Sequence, residues 1–249
     1  MKLLDKVTNK AKKSNLARRI YMGIFSSYER EWDFLGRNED WAIKHILNVE
    51  DKATFDLRGE QHANELKRLI KPNSTVLDLG CGIGRVEKFL APYCKEIHGV
   101  DVSGKMLMLA RKNVVCENVY FHKSNGRDLS MFPNKKFDFA FSIATLQHLE
   151  KEDAVFYLME IYRVLKENGQ AYLQFPNLLC NYNLRNFLDC VRAKYRTVSR
   201  MRYYTPTEVE KILQAIGLKI DSLVERSDYE DQDSKHKDYS IYVLASKIV

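Results

Sequence analysis

Residues 75–85 read TVLDLGCGIGR, and this stretch decides the fold. A β-branched and aliphatic run reaches Asp78 and then breaks into glycines at Gly80, Gly82 and Gly84. The pattern predicts a buried strand, Thr75–Leu79, turning sharply into a helix, with glycine letting the backbone pass close to a ligand. The spacing separates two nucleotide classes. A dinucleotide fingerprint, G-x-G-x-x-G, uses its third glycine to pack the helix onto the strand. Here that position is Arg85, and the last glycine comes one residue early.

Outward from this loop, strands and helices alternate. Further strands are expected at Glu96–Asp101, Val119–His122, Phe137–Ser142, Gln170–Phe175, Leu218–Glu225 and Tyr239–Ser246, and helices at 85–92, 103–113, 152–166 and 206–216. Thr205, Pro206 and Glu208 occupy N-cap, first-turn and capping-box positions, and Gly169 and Gly217 stand where helices stop. A helix carrying Leu66, Leu69 and Ile70 follows Gly59 and ends before Pro72. Residues 16–48 look helical, from Leu16, Ile20 and Phe25 and then from Trp41, Ile43, Ile46 and Leu47. The alternation predicts an α/β fold, a seven-stranded, mainly parallel sheet with helices on both faces. The last two strands, joined by the polar loop Ser227–Asp238 without a helix, predict an antiparallel edge hairpin.

Bulk properties narrow the classes. With 249 residues, 45% hydrophobic and 29% charged, the chain has room for one globular domain with an appendage. The net charge of +7 is localised: residues 1–19 hold seven Lys and Arg against Asp5 alone. Such a tail suits contact with nucleic acid or anionic lipid, or is a solvated end. Five scattered cysteines without a C-x-x-C pair argue for reduced thiols in a cytoplasmic protein. No apolar run approaches the roughly 18 residues of a membrane helix. His45, His62, His98, His122 and His236 show no ligand spacing, so no metal site is expected.

Asp101, in GVDVS, closes the second strand 23 positions after Asp78. A carboxylate there can accept hydrogen bonds from both ribose hydroxyls, or cap the next helix. FHKSNGRDL (121–129) ends a strand in the Asn125-Gly126 pair, and FDFAFSIATLQHL (137–149) is apolar on both faces, as a central parallel strand is. IYRVLKENGQAYLQFPN (161–177) supplies a helix and the next strand.

In this order, D-x-G-x-G-x-G and the three motifs after it resemble the class I S-adenosylmethionine-dependent methyltransferases, over roughly residues 59–175 and more weakly over 204–246. The resemblance implies S-adenosylmethionine as cofactor and S-adenosylhomocysteine as product, in a domain spanning 59–249 behind a basic tail and helical extension at 1–58. It implies cofactor contacts at Asp78, Gly80, Cys81, Gly82, Gly84, Asp101, Val102, Met106, Asn125, Gly126, Ser142 and Gln147. Asn125 would serve the adenine amino group and the Gly126 amide a ring nitrogen, while Arg58 would approach the methionine carboxylate. His148 is the candidate base, a packing histidine being the alternative. Acceptor recognition is expected from the aromatics of 1–58 and from an insert, 176–204, with Tyr182, Tyr203 and Tyr204. A small-molecule acceptor methylated on O or N is the first reading, and RNA or protein the second. A catalytically silent binding module and a nicotinamide oxidoreductase are the competing classes; Arg85 and the terminal hairpin count against the latter.

Overall fold

The computed structural model describes residues 27–47, 49, 51–193, 197, 200–227 and 239–248. The basic tail, the helix expected around 16–25, Lys194, Arg196 and His236 lie outside the described residues.

Seven strands form one sheet: β1 (Thr75–Leu79), β2 (Glu96–Asp101), β3 (Val119–Lys123), β4 (Phe137–Ser142), β5 (Leu165–Pro176), β6 (Leu218–Arg226) and β7 (Ser240–Lys247). Their order is β3-β2-β1-β4-β5-β7-β6, with β7 antiparallel to both of its neighbours. β1 is buried along its whole length, as a strand covered on both faces must be. The expected hairpin is present, and β7, last in sequence, takes the inner place beside β5. The residues explain why: SIYVLASK is almost wholly buried, whereas LKIDSLVER is buried only at Leu218 and leaves charged side chains at the edge.

The helices are α1 (Tyr28–Leu35), α2 (Glu39–Leu47), α3 (Lys52–Lys67), α4 (Glu87–Leu90), α5 (Gly104–Asn113), α6 (Lys151–Val164), α7 (Asn181–Arg192) and α8 (Pro206–Ile216). One core cluster packs α6 and α8 under the sheet through Leu158, Ile161, Val209 and Leu213. Another packs α3 and α4 on the opposite face through Ala63, Leu66 and Leu90. A third joins Leu35, Ile43 and Phe55 to Ile83 in the glycine loop and Met106 in α5. The N-terminal extension therefore shares a core with the loop that defines the fold.

Three local expectations shift. α3 starts at Lys52, because Asp51 caps it by accepting from the Thr54 amide at 2.8 Å, so residues 58 and 59 lie within one continuous helix. Gly59 sits there because a Cβ would run into the Arg85 backbone. α6 ends at Val164, short of Gly169, because the Lys135 and Lys136 amides take the carbonyls of Arg163 and Val164 and the chain passes directly into β5. After the glycine loop only Glu87–Leu90 is α-helical, followed by a 3₁₀ turn through Pro92. Thr205 and Gly217 cap α8 as expected, Gly217 with φ +100°.

Among the described residues no helix is long and apolar enough to cross a membrane, no group of His, Cys, Asp and Glu could hold a metal ion, and the five cysteines are free thiols.

On the outer strands, His98 Nδ1 lies 2.9 Å from His122 Nε2. Burial, with Lys136 adding repulsion, pushes His98 down to about 4 from its ordinary 6.5 and lowers His122 as well. The native rings stay neutral where an unfolded chain is already protonated. The pair's contribution is thus intact above pH 6.5 and is lost as pH falls toward about 4. Urea midpoints should drop between about pH 7.5 and pH 5 in the wild type, and His98→Phe should shrink that drop; an unchanged drop would place the acid sensitivity elsewhere.

Candidate functional site

The strand order reverses at β1, which lies between β2 and β4, and open α/β sheets bind ligands beyond the carboxyl ends of such strands. A cleft of about 960 Å³, open mouth included, occupies this position.

Its floor is the glycine loop. The Gly80 and Cys81 amides donate to the Val100 carbonyl at 2.7 and 3.1 Å, folding the loop back over β2. Gly80 has φ +88°, and a Cβ there would overlap the Thr145 side chain, so both conformation and space demand glycine. Asp101 fastens the next residues. Its Oδ2 accepts from the Gly82 amide at 3.0 Å and its Oδ1 from the Ser103 amide at 2.8 Å. Burial pushes the Asp101 carboxyl up to about 6, against the pull of these two donors. Ser103 caps α5 by accepting from the Met106 amide at 3.1 Å.

Deeper in, Asp78 is 4% exposed, and Glu87 behind it is wholly buried. Burial and the neighbouring Glu87 hold the Asp78 carboxyl well above the usual range, and burial pushes Glu87 up to about 7. Arg85, itself 7% exposed, draws both back down, and its Nη1 lies 3.0 Å from His62 Nδ1. Asp78 and Glu87 thus share one guanidinium, and Asp101 adds its repulsion to both, a floor suited to a cation.

The roof comes from α1 and from the segment after β4. The Tyr28 hydroxyl donates to Asp153 Oδ2 and accepts from the Glu150 amide, each at 2.8 Å. The Trp32 ring meets His148 edge-on with centroids 5.1 Å apart. Asp33 Oδ1 holds α1 from the other side, accepting from Ser103 Oγ at 2.7 Å and from the Lys105 amide at 3.2 Å.

Of the residues expected from sequence, Asp78, Gly80, Cys81, Gly82, Asp101, Val102, Met106, Gly126 and His148 line the cleft. The others do not. Gly84 turns toward Val114 of the α5 terminus. Ser142 is buried and donates to the Leu79 carbonyl at 2.9 Å, joining β4 to β1. The Gln147 side chain meets His148 Nε2 at 3.1 Å. Asn125 Oδ1 accepts from the Arg127 and Asp128 amides, closing a turn on an adjoining polar cavity, and the Gly126 amide donates to Ser124 Oγ. Arg58, on α3, is away from the lining.

Nor do the three tyrosines reach the cleft. Tyr204 is a core residue against Phe175, Tyr203 packs beside Phe187, and Tyr182 stands exposed on α7. Lining residues that sequence reasoning passed over include Arg85, Thr145, Ser124 and Tyr157. Arg85 stood in the opening motif, where it marked only the missing glycine. Tyr28 and Trp32 had surfaced as part of an aromatic-rich extension.

A family model described as a methyltransferase domain matches residues 76–169. Phosphoethanolamine N-methyltransferase of Plasmodium falciparum is 26% identical over 174 residues, covering 68% of this chain and 63% of that protein. Phosphoethanolamine N-methyltransferase 1 of Zea mays is 27% identical over 160 residues, 57% of this chain and 32% of that protein. The chain therefore spans less than two thirds of either relative. Among solved structures, magnesium protoporphyrin IX methyltransferase of Synechocystis with bound S-adenosylhomocysteine shares the fold at TM-score 0.61 and 17% identity, covering 92% of this chain and 99% of that one. An S-adenosylmethionine-dependent methyltransferase of Mesorhizobium loti does so at 0.60 and 17%, over 74% and 96%. The glycine-loop motif, a sheet whose order reverses at β1 and the matched model agree: residues 76–169 are similar to a methyltransferase domain, and the chain has the fold of S-adenosylmethionine-dependent methyltransferases.

Proposed function

We propose that this chain transfers a methyl group from S-adenosylmethionine to a small-molecule acceptor, at nitrogen in the first instance. The observation that carries the reading is the cleft, with a glycine cradle and buried acids below and the ring pair Trp32–His148 above.

The residues present fit the cofactor. The acid-rich floor suits a ligand that carries positive charge, because a cation lowers the proton affinity of carboxyls that burial has raised. Asp101 retains acceptor capacity after its two backbone donors and would take the ribose hydroxyls. Arg85, in place of the more distant Arg58, would face the methionine carboxylate, and Asp78 the amino group. When bound, S-adenosylmethionine supplies an electrophilic methyl on a sulfonium, which needs alignment with a nucleophile more than it needs acid or base. Trp32 and Tyr28 exclude water from that end of the cleft, and His148 takes up the proton that the acceptor releases.

The named relatives act on phosphoethanolamine, which supports an amine acceptor over a hydroxyl. An adjoining polar cavity, bordered by Tyr28, Gly126, Arg127 and Arg200, offers room for a polar acceptor beside the cofactor.

Calorimetric titration tests the cofactor. S-adenosylmethionine should bind at roughly micromolar Kd and NAD should not, and Asp101→Asn should weaken binding about tenfold or more. Preference for NAD would overturn the reading. Because the Asp101 carboxyl titrates near about 6, affinity should fall roughly tenfold from about pH 7.5 to pH 5, and the asparagine variant should lose this dependence.

Radiolabelled methyl transfer tests the acceptor, with small amines including phosphoethanolamine against small alcohols, RNA and protein. Label appearing only in RNA or protein would displace the small-molecule reading. For an amine acceptor, His148→Ala should lower kcat about a hundredfold near pH 7, with the loss shrinking above pH 9 as the amine deprotonates unaided. An equal loss at both pH values would make His148 a packing residue.

A further inference from the structure

Helix α7 is inside out. The side facing the protein is small and polar: Asn183 is buried, and Asn186 and Cys190 are half-buried. Asn183 Nδ2 donates to the carbonyls of Asn177 and Tyr239, both at 2.8 Å, anchoring the helix to the chain beyond β5 and before β7. The side facing solvent carries Leu184, Phe187, Leu188 and Val191, which are 39%, 42%, 39% and 58% exposed. Spacings of three and four residues put all four on one arc of the helix. Leu179, just before the helix, is 61% exposed and extends the apolar surface.

Charge accompanies this arc. Arg185 and Arg192, seven residues apart, form a row along its flank, and Arg192 is 74% exposed as it pairs with Asp189 at 3.1 Å. Between residues 176 and 204 six Lys and Arg stand against Asp189 alone, of which Arg200 and Arg202 are paired with Glu150, and residues 1–19 hold seven against Asp5. Since the whole chain is only +7, the rest of it is net acidic, and basicity is confined to these two segments.

From this arrangement we infer that the outer face of α7 docks on an anionic lipid surface, lying in the headgroup plane with Leu184, Leu188 and Val191 immersed and Arg185 and Arg192 on lipid phosphates. An amphipathic helix with leucine, phenylalanine and valine on one side and arginine at the margin has the chemistry that interfacial helices use. A neutral protein partner would complement the apolar arc but not the basic flank; an anionic bilayer complements both. The inference is independent of the acceptor and of methyl transfer.

Vesicle flotation of the full chain tests it. Phosphatidylcholine vesicles with about 30 mol% phosphatidylserine should carry the wild type upward, and pure phosphatidylcholine vesicles should carry at least about fivefold less. The Leu184→Ser/Leu188→Ser/Val191→Ser variant should remain at the bottom, and Arg185→Glu/Arg192→Glu should bind roughly tenfold more weakly or less still. These side chains are exposed, so thermal melts and S-adenosylmethionine affinity of the variants should match the wild type, which keeps failure here separate from failure of the cofactor reading. Equal flotation of wild type and serine variant would overturn the inference and assign lipid binding to the basic tail. Absence of wild-type flotation would overturn it outright. So would light scattering that shows a wild-type dimer and a monomeric serine variant, because the face would then be covered by a second copy.

Discussion

The carboxylate of Asp101 is the constraint on which the site rests. It sits at the end of β2 and accepts from two amides in different elements, Gly82 in the loop after β1 and Ser103 at the head of α5. Those two bonds set the distance between the loop and the helix, and with it the width of the cleft. The arrangement works against itself electrostatically, since burial raises the carboxyl to about 6 while the amides hold it in its charged form. Ribose hydroxyls would add donors to that charged form. Structural and binding roles therefore share the same two oxygens.

The second constraint is that the roof is not an appendage. Tyr28 reaches Asp153 across 125 residues of sequence, and Asp33 reaches Ser103 across 70. Leu35, Ile43 and Phe55 pack directly on Ile83 and Met106, which belong to the floor. Removing the extension would expose the underside of the glycine loop as well as open the cleft. A chain cut at residue 58 or 59 would also break α3 in its middle.

These two facts divide what the sequence shows from what it conceals. The strands, the loop and Asp101 are legible because each is a local signal: an apolar run, a glycine spacing, an acid at a set distance. β7 and β6 could be read as a hairpin, and the burial of SIYVLASK against LKIDSLVER explains which of them lies inside. Arg85 and Tyr204 were hidden for the opposite reason, since their roles are set by distant partners. Arg85 lies against Gly59 and His62 on α3, contacts that no spacing near residue 85 announces. Tyr204 falls into the core against Phe175, because its amide bonds the Pro176 carbonyl and its own carbonyl takes the Leu178 amide, drawing it in beside β5. Asn125 kept its place in the motif but closed its own turn, as asparagine readily does before glycine.

The polarity of α7 follows from the same accounting of backbone groups. Where β5 ends and before β7 begins, the carbonyls of Asn177 and Tyr239 each accept one backbone amide, from Cys180 at 3.3 Å and from Asn177 at 3.0 Å, and each has a second lone pair turned toward the helix. A second donor to each carbonyl fastens the helix to both strand ends at once. An apolar side chain on the inner face could not do this, whereas one asparagine amide with two N–H groups serves both carbonyls at once. Once the inner face is committed to Asn183, the helical period places Leu184, Phe187, Leu188 and Val191 on the outside. The exposed apolar arc is thus the counterpart of the polar anchor beneath the helix.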